Sequence, residues 1–126
     1  MEYLHILGRI IFGGYFLFYG YNHFTHSKMM IGDAQSKKVP MASVVVPISG
    51  IILIIAGLSI IFNFHALAGA ILLIIYIIPA TFMMHNYWKI QDPTQKMGEM
   101  GNFMKNLGLL GALILFAVMR HSGIPF

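Results

Sequence analysis

Polar side chains that can exchange protons or bind a polar head group recur where long apolar segments begin or end. They are Asn22, His23, His26, His85, Glu99 and Asn102. Histidine is the side chain best suited to proton exchange near neutral pH. Two interpretations compete for this set. It consists either of ordinary interfacial caps and hydrogen-bond partners, or of a polar pocket that protonates, binds a quinone-like head group or holds a metal.

The histidine spacing argues against the metal. His23 and His26 are three residues apart, so they share one helix face if the first helix continues that far. A metal site needs two or more histidines with a carboxylate and ordered support around them. Because no H-x-x-x-H spacing occurs, the sequence predicts no metal site.

Arg9 is the charged side chain inside the first apolar segment. A guanidinium in a membrane crossing costs about 2.5–3.5 kcal/mol at the centre and less near the ends. Arg9 therefore either extends to the headgroup level, or faces the bundle and binds an anionic ligand, a lipid phosphate or a partner subunit. The candidate residues for a ligand site or polar pocket are Arg9, Asn22, His23, His85, Glu99 and Asn102. No catalytic residue is assigned, because no Ser/His/Asp arrangement or pair of catalytic carboxylates occurs.

The segments that must position these residues are built for a membrane. Residues 39–88 contain no Asp, Glu, Lys or Arg and are interrupted once, at Asn63-Phe64-His65. One crossing takes about 20 apolar residues, because a helix rises about 1.5 Å per residue through a hydrocarbon layer of about 30 Å. The uncharged stretch therefore has the length of two spanning helices joined by a tight turn.

Composition supports the same class of protein. Hydrophobic residues make up 58% of the 126-residue chain and charged residues 10%, against about a quarter charged in soluble domains. The absence of cysteine excludes disulfides, thiolate metal sites and iron–sulfur clusters. The net charge of +4 comes from basic residues at the ends of apolar runs. It therefore predicts membrane orientation and contact with anionic lipid, not nucleic-acid binding.

The apolar runs predict an all-α, four-transmembrane-helix bundle that forms a single integral membrane domain over residues 1–126. The crossings are placed at about residues 4–24, 41–62, 66–88 and 102–119. Residues 25–40 and 89–101 are predicted as polar loops, and the short turn makes the second and third helices an antiparallel pair. Pro79 predicts a kink in the third crossing.

Charge asymmetry predicts the orientation. The side of the long loops carries six lysines, whereas the side of the termini carries Arg9 and Arg120. By the positive-inside rule, the long loops are cytoplasmic and the termini lie outside, in a multi-pass protein of the cell inner (plasma) membrane. The N-terminus has no positive n-region and is interpreted as the start of a retained helix.

Several short motifs follow one another in a characteristic order along the chain. They are Gly8-Arg9, Tyr19-Gly20-x-x-His23-Phe24, Pro40, Gly50, Gly57-Leu58, His85, Glu99-x-x-Asn102-Phe103-x-Lys105-Asn106-Leu107 and Gly111. Taken in order, these motifs resemble the DoxX-like family of small four-helix membrane proteins. One departure is that many relatives carry an acid early in the second helix, where this chain has Val44-Val45-Val46-Pro47. If that acid handles protons or ligands in the relatives, the chain lacks that function.

The resemblance implies a four-helix membrane bundle with links to quinone-coupled sulfur oxidation, oxidative-stress membrane complexes or receptor assembly. The leading expectation is a membrane subunit that supports a redox- or quinone-linked complex, with Arg9, His23, His85 and Glu99 lining or gating a polar pocket. No cofactor is evident, although a quinone fits the expectation, and catalysis by the chain alone is not expected. The expected partners are the lipid bilayer and either further copies of the chain or a membrane redox protein. The alternatives are a membrane scaffold or assembly factor, and a small-solute carrier.

Overall fold

The structure is a computed structural model that describes residues 3–123, and this part of the chain is helical with no strand. The helices are α1 (Leu4–Thr25), α2 (Ser27–Ser36), α3 (Ala42–Ile61), α4 (Ala66–Met84) and α5 (Pro93–His121), with a single 3-10 turn at Tyr87–Lys89. The predicted all-α bundle of four long helices is confirmed, with α2 as a fifth, short helix.

The four long helices pack in sequence, α1 against α3, α3 against α4 and α4 against α5. The start of α1, the α3–α4 turn and the end of α5 form one end of the bundle, called here the hairpin end. The opposite end, where α2 lies, is called the α2 end. The core between the helices is apolar, with Phe16, Leu53, Ile60, Leu73 and Leu113 buried at its centre.

Helices α1 and α3 approach each other through glycines. A methyl group at Gly13 would lie 2.6 Å from the carbonyl oxygen of Gly57, and one at Gly20 would lie 2.9 Å from that of Gly50. These distances are shorter than van der Waals contact, so only a residue without a side chain fits at either position. Small residues allow such close helix packing in membranes, where dispersion between backbones replaces the hydrophobic effect.

The α3–α4 turn is as tight as predicted, and its backbone geometry explains why an asparagine occurs at position 63. Asn63 has a left-handed φ of 53° directly after α3. The amide of Asn63 donates to the Ile60 carbonyl at 3.3 Å and that of Phe64 to the Ser59 carbonyl at 3.0 Å. This is the Schellman pattern, and asparagine tolerates the left-handed position better than most residues with a side chain. The predicted antiparallel pair is thereby confirmed.

The prediction of a polar loop at residues 25–40 is wrong for most of that length, because residues 27–36 form α2. Ala34 is buried against Ala42 and Val46 of α3, so this short helix lies on the bundle instead of projecting from it. Its C-terminus is also a Schellman motif, since the Val39 amide donates to the Ala34 carbonyl at 3.0 Å. Lys38 occupies the left-handed position there, with a φ of 61°.

The second predicted loop is also mostly helix. Helix α5 begins at Pro93, ahead of the predicted crossing that starts at Asn102. Asp92 caps it, because its Oδ2 accepts a hydrogen bond of 3.0 Å from the Gln95 amide. Asp followed by Pro is a helix-start signal as well as a turn signal, since proline lacks an amide hydrogen that the first turn would leave unpaired.

Three helical segments in the described chain are long and apolar enough to cross a membrane: Ala42–Ile61, Ala66–Lys89 and Pro93–His121. Helix α4 continues through Pro79 to Met84. Helix α1 has 22 residues, which is the length of a crossing, but its arginine and polar aromatic residues lower its hydropathy. A crossing by α1 therefore stays a prediction.

Candidate functional site

Glu99 is the centre of a polar cluster at the α2 end. Lys37 Nζ donates to Glu99 Oε2 at 2.7 Å, and Asn102 Nδ2 donates to Glu99 Oε1 at 2.9 Å. His85 Nδ1 lies 3.3 Å from Glu99 Oε2. Both carboxylate oxygens are therefore occupied by donors from three other side chains. We call Lys37, His85, Glu99 and Asn102 the Glu99 cluster.

Helix ends position this cluster. Lys37 is the C-cap residue of α2, and His85 is the C-cap residue of α4. Glu99 and Asn102 are three residues apart in α5, so both project from one face of that helix. Lys37 Nζ also donates to the carbonyl oxygen of Met84, which lies at the end of α4. A lysine is favoured at this place because the last carbonyls of a helix are unpaired and carry partial negative charge.

The cluster is shielded from solvent but not sealed. The side chains of Lys37 and Glu99 are each 19% exposed and that of His85 is 24% exposed. A second carboxylate, Asp33, lies 4.0 Å from Lys37 and is largely exposed. The site thus holds one amine, one imidazole and one carboxylate in contact, each with partial access to solvent.

Polar contacts continue from the Glu99 cluster into the bundle. Asn106, one turn after Asn102 in α5, donates from Nδ2 to Thr81 Oγ1 at 3.1 Å, and Thr81 donates on to the Ile77 carbonyl at 2.6 Å. On the side of α1, Lys105 Nζ lies 5.1 Å from the centre of the Tyr19 ring. The polar surface therefore extends about two turns along α5, between α1 and α4.

Aromatic rings adjoin the same region. The ring of Trp88 lies 5.7 Å from that of Phe103 and 6.2 Å from that of Phe82. Trp88 follows His85 by three residues and is the protein's one tryptophan. Tryptophan favours the membrane interface, where its ring is buried and its N–H stays wet. It supplies a flat apolar surface beside the polar cluster and an intrinsic fluorescent probe.

The structure brings together His85, Glu99 and Asn102 from the predicted set. His23 lies elsewhere: its Nδ1 donates to the Tyr19 carbonyl of its own helix at 2.7 Å. Its Cβ packs so closely over Gly50 that a methyl group there would lie 2.8 Å away. Asn22 contributes its backbone carbonyl, which accepts from the His26 amide at 2.9 Å and ends α1. These contacts give His23 and Asn22 packing and capping roles.

Arg9 lies at the other end of the bundle. Its Nη1 is 3.5 Å from the carbonyl oxygen of Ile61, the last residue of α3. The 20 residues of α3 separate the two ends by about 30 Å. The expectation that Arg9 and His85 line one pocket is therefore not supported by their positions, and the order of the crossings already implied this separation.

Lys37 is the member of the Glu99 cluster that sequence reasoning missed. Interpreting residues 25–40 as a solvated loop placed this lysine in water. Within residues 3–123 the structure has no group of three His, Asp or Glu side chains arranged to hold a metal. The donor set of the cluster is instead suited to hydrogen-bond acceptors such as carbonyl oxygens.

Comparison with known proteins identifies one family. The family model described as DoxX matches residues 4–86, which include α1 to α4 and His85. The match ends before α5, so Glu99 and Asn102 lie outside it. No curated protein and no solved structure matches the chain.

Proposed function

The chain belongs to the DoxX family, and we propose that it is a membrane subunit of a redox- or quinone-linked complex, in which the Glu99 cluster binds a quinone head group. The observation that carries the proposal is the set of donors around one shielded carboxylate: Lys37, His85 and Asn102. The carbonyl oxygens of a quinone accept hydrogen bonds from such donors. Trp88 and Phe103 offer aromatic surface beside them.

The chemistry of the cluster fits proton transfer to a quinone. Reduction of a quinone to a quinol takes two electrons and two protons. In the proposed arrangement the partner redox protein supplies the electrons. His85, in contact with Glu99, passes protons from the membrane surface to the quinone oxygen. Glu99 orients the imidazole and stabilises its protonated form, as a carboxylate beside a histidine does in other proton-transfer sites.

The proposed setting is the cell inner (plasma) membrane, with four crossings. The α2 end is cytoplasmic in this proposal, because the segments there carry most of the lysines. Further copies of the chain or a membrane redox protein are the proposed partners. Partner contact would use α5, whose one buried residue is Leu113 and whose Ile114, Leu115 and Val118 are exposed.

Quinone binding can be measured with the protein's own fluorescence. The protein in phosphatidylcholine nanodiscs is titrated with decylubiquinone, and the quenching of Trp88 is recorded. Saturable quenching is expected, with an affinity at least about tenfold weaker in two variants. His85→Ala loses a donor to the quinone, and Glu99→Gln loses the carboxylate that orients His85 and Lys37. His26→Ala is the matched control, because His26 is exposed and outside the cluster.

Quenching that rises linearly with quinone and is equal in all variants would show simple partition into the lipid, and the proposal would be wrong. Circular dichroism and thermal unfolding of each variant separate loss of binding from loss of fold. A preparation that binds no quinone but retains a protein partner at a fixed ratio would support the assembly-factor alternative. That alternative is favoured by the sparse burial of α5.

A further inference from the structure

Lys105 adds a positive charge deeper in the bundle than the Glu99 cluster. It follows Glu99 by six residues in α5, so the two side chains leave the helix about 9 Å apart along its axis. A lysine inside an apolar spanning helix is costly, and such residues generally face a partner or a ligand. A lysine that only sought the head groups would extend toward the α2 end. Lys105 Nζ instead lies 5.1 Å from the centre of the Tyr19 ring, six residues before the end of α1.

Tyr19 holds the amine of Lys105 in place. The Tyr19 ring is itself fixed by other rings of α1, since it lies 4.6 Å from the ring of Tyr15 and 5.7 Å from that of Phe18. The negative face of an aromatic ring attracts a cation placed over it. A ring face takes no conventional hydrogen bond, so N–H donors of the ammonium remain for an oxygen atom. Lys105 is therefore a positioned donor on the side of α5 that faces α1.

The donors around α5 face two different neighbours. Within the Glu99 cluster, His85 belongs to the end of α4 and contacts Glu99. Lys105 faces α1 instead. Asn102 lies between the two places, three residues from Glu99 and three from Lys105. Lys105 and His85 are nevertheless close enough for their charges to interact. Hydrogen-bond donors therefore lie at both ends of one polar surface, on the α4 side and on the α1 side of α5.

From this arrangement we propose that the ligand is a para-quinone bound across α5, with one carbonyl oxygen at His85 and the other at Lys105. The inference rests on the proposed quinone function and adds Lys105 to its binding residues. The two oxygens of a para-quinone point in opposite directions, so they need donors on opposite sides of the ring. A spacing of about 9 Å along α5 leaves room for a ring between two hydrogen bonds of about 3 Å each. The ammonium also stabilises the negative charge that reduction places on the oxygen.

Infrared spectroscopy can observe the two carbonyl groups separately. The protein in phosphatidylcholine nanodiscs is loaded with decylubiquinone that carries an isotopic label at one carbonyl carbon or at the other. A hydrogen bond lowers the stretching frequency of the carbonyl that accepts it, so two lowered bands are expected for the wild type. Lys105→Met should return one band to its frequency in lipid alone and weaken binding about tenfold, because a charge-assisted hydrogen bond is lost. His85→Ala should affect the other band, and Lys105→Arg should keep both bands lowered.

The outcomes separate this inference from the proposed function. Bound quinone with both bands still lowered in Lys105→Met would overturn the inference and leave the proposed function standing. A wild type that binds no quinone would overturn the proposed function, and the inference with it. Lys96→Met is the matched control, because Lys96 is an exposed lysine of the same helix, and an equal effect there would show a general charge effect and overturn the inference. Circular dichroism verifies folding. If Lys105→Met does not fold, Lys105→Gln replaces it, and an unchanged band in that variant would equally overturn the inference.

Discussion

The ion pair between Lys37 and Glu99 can be tested quantitatively, because it fixes both the position of α2 and the geometry of the polar cluster. At 2.7 Å the attraction between unit charges is about 6 kcal/mol for an effective dielectric constant of about 20. Holding a lysine side chain in one conformation costs up to about 2 kcal/mol, and desolvation of the charges removes more. A net coupling energy of roughly 1–3 kcal/mol remains, above the range of exposed pairs.

A double-mutant cycle measures this coupling energy directly. Lys37→Met, Glu99→Gln and the double variant are unfolded in mixed detergent micelles, and the free energies of unfolding are compared with that of the wild type. The cycle removes the separate effects of the contacts that Glu99 makes with His85 and Asn102. Hydrogen exchange at residues 27–36 should accelerate in both single variants, because α2 loses its attachment to α4 and α5. Lys28→Met, an exposed lysine on the same helix, should leave the exchange unchanged.

The result that would refute the reasoning is additivity. If the double variant is destabilised by the sum of the single variants within about 0.4 kcal/mol, Lys37 and Glu99 do not interact appreciably in the folded protein. Unchanged exchange of α2 in the single variants would likewise show that the apolar contact of Ala34 alone holds this helix.

Three further changes test separate parts of the fold by equilibrium unfolding in detergent. Gly13→Ala should destabilise the protein by about 1–3 kcal/mol through overpacking against α3, whereas Gly14→Ala, which has open space around it, should be neutral or stabilising. Equal effects of the two substitutions would contradict the close approach of α1 and α3. Lys38→Gly should stabilise by about 0.5–1 kcal/mol, because glycine relieves the left-handed strain at the end of α2, and a loss of stability would argue against that conformation. Asn106→Leu should lower the free energy of unfolding by about 0.6 kcal/mol, because it removes the hydrogen bond to Thr81. If the same change has no effect in a Thr81→Val protein, the lost stability came from that hydrogen bond.

The apolar part of the fold could be predicted because lipid imposes simple rules on sequence. A fifty-residue run without charge, interrupted at Asn63, allows little except two antiparallel helices. The polar segments obey no such rule. Residues 27–36 have the composition of a loop, and they form α2 because Ala34 is buried against α3, which only the tertiary structure reveals.

The candidate site could be predicted only in part, for the same reason. His85, Glu99 and Asn102 follow from helix ends that lie at one end of the bundle. The place of Lys37 in the cluster depends on helix α2, which the sequence analysis did not predict. Arg9 joins the predicted set through its residue type alone, and its place near the start of the first crossing puts it at the other end of the bundle from His85.

The DoxX match contains only part of the Glu99 cluster. The DoxX match includes α1 to α4 and ends at residue 86, so it contains His85 and Lys37 but not Glu99. A histidine and a lysine at a helix end repel each other when both are charged, and the carboxylate from α5 removes that repulsion. Helix α5 therefore completes a site that the matched region only begins. Since α5 is also the least buried of the long helices, a partner that moves it would change the distance between Glu99 and His85. Proton exchange at the cluster would then depend on assembly, which links the quinone proposal to the partner that the proposal requires.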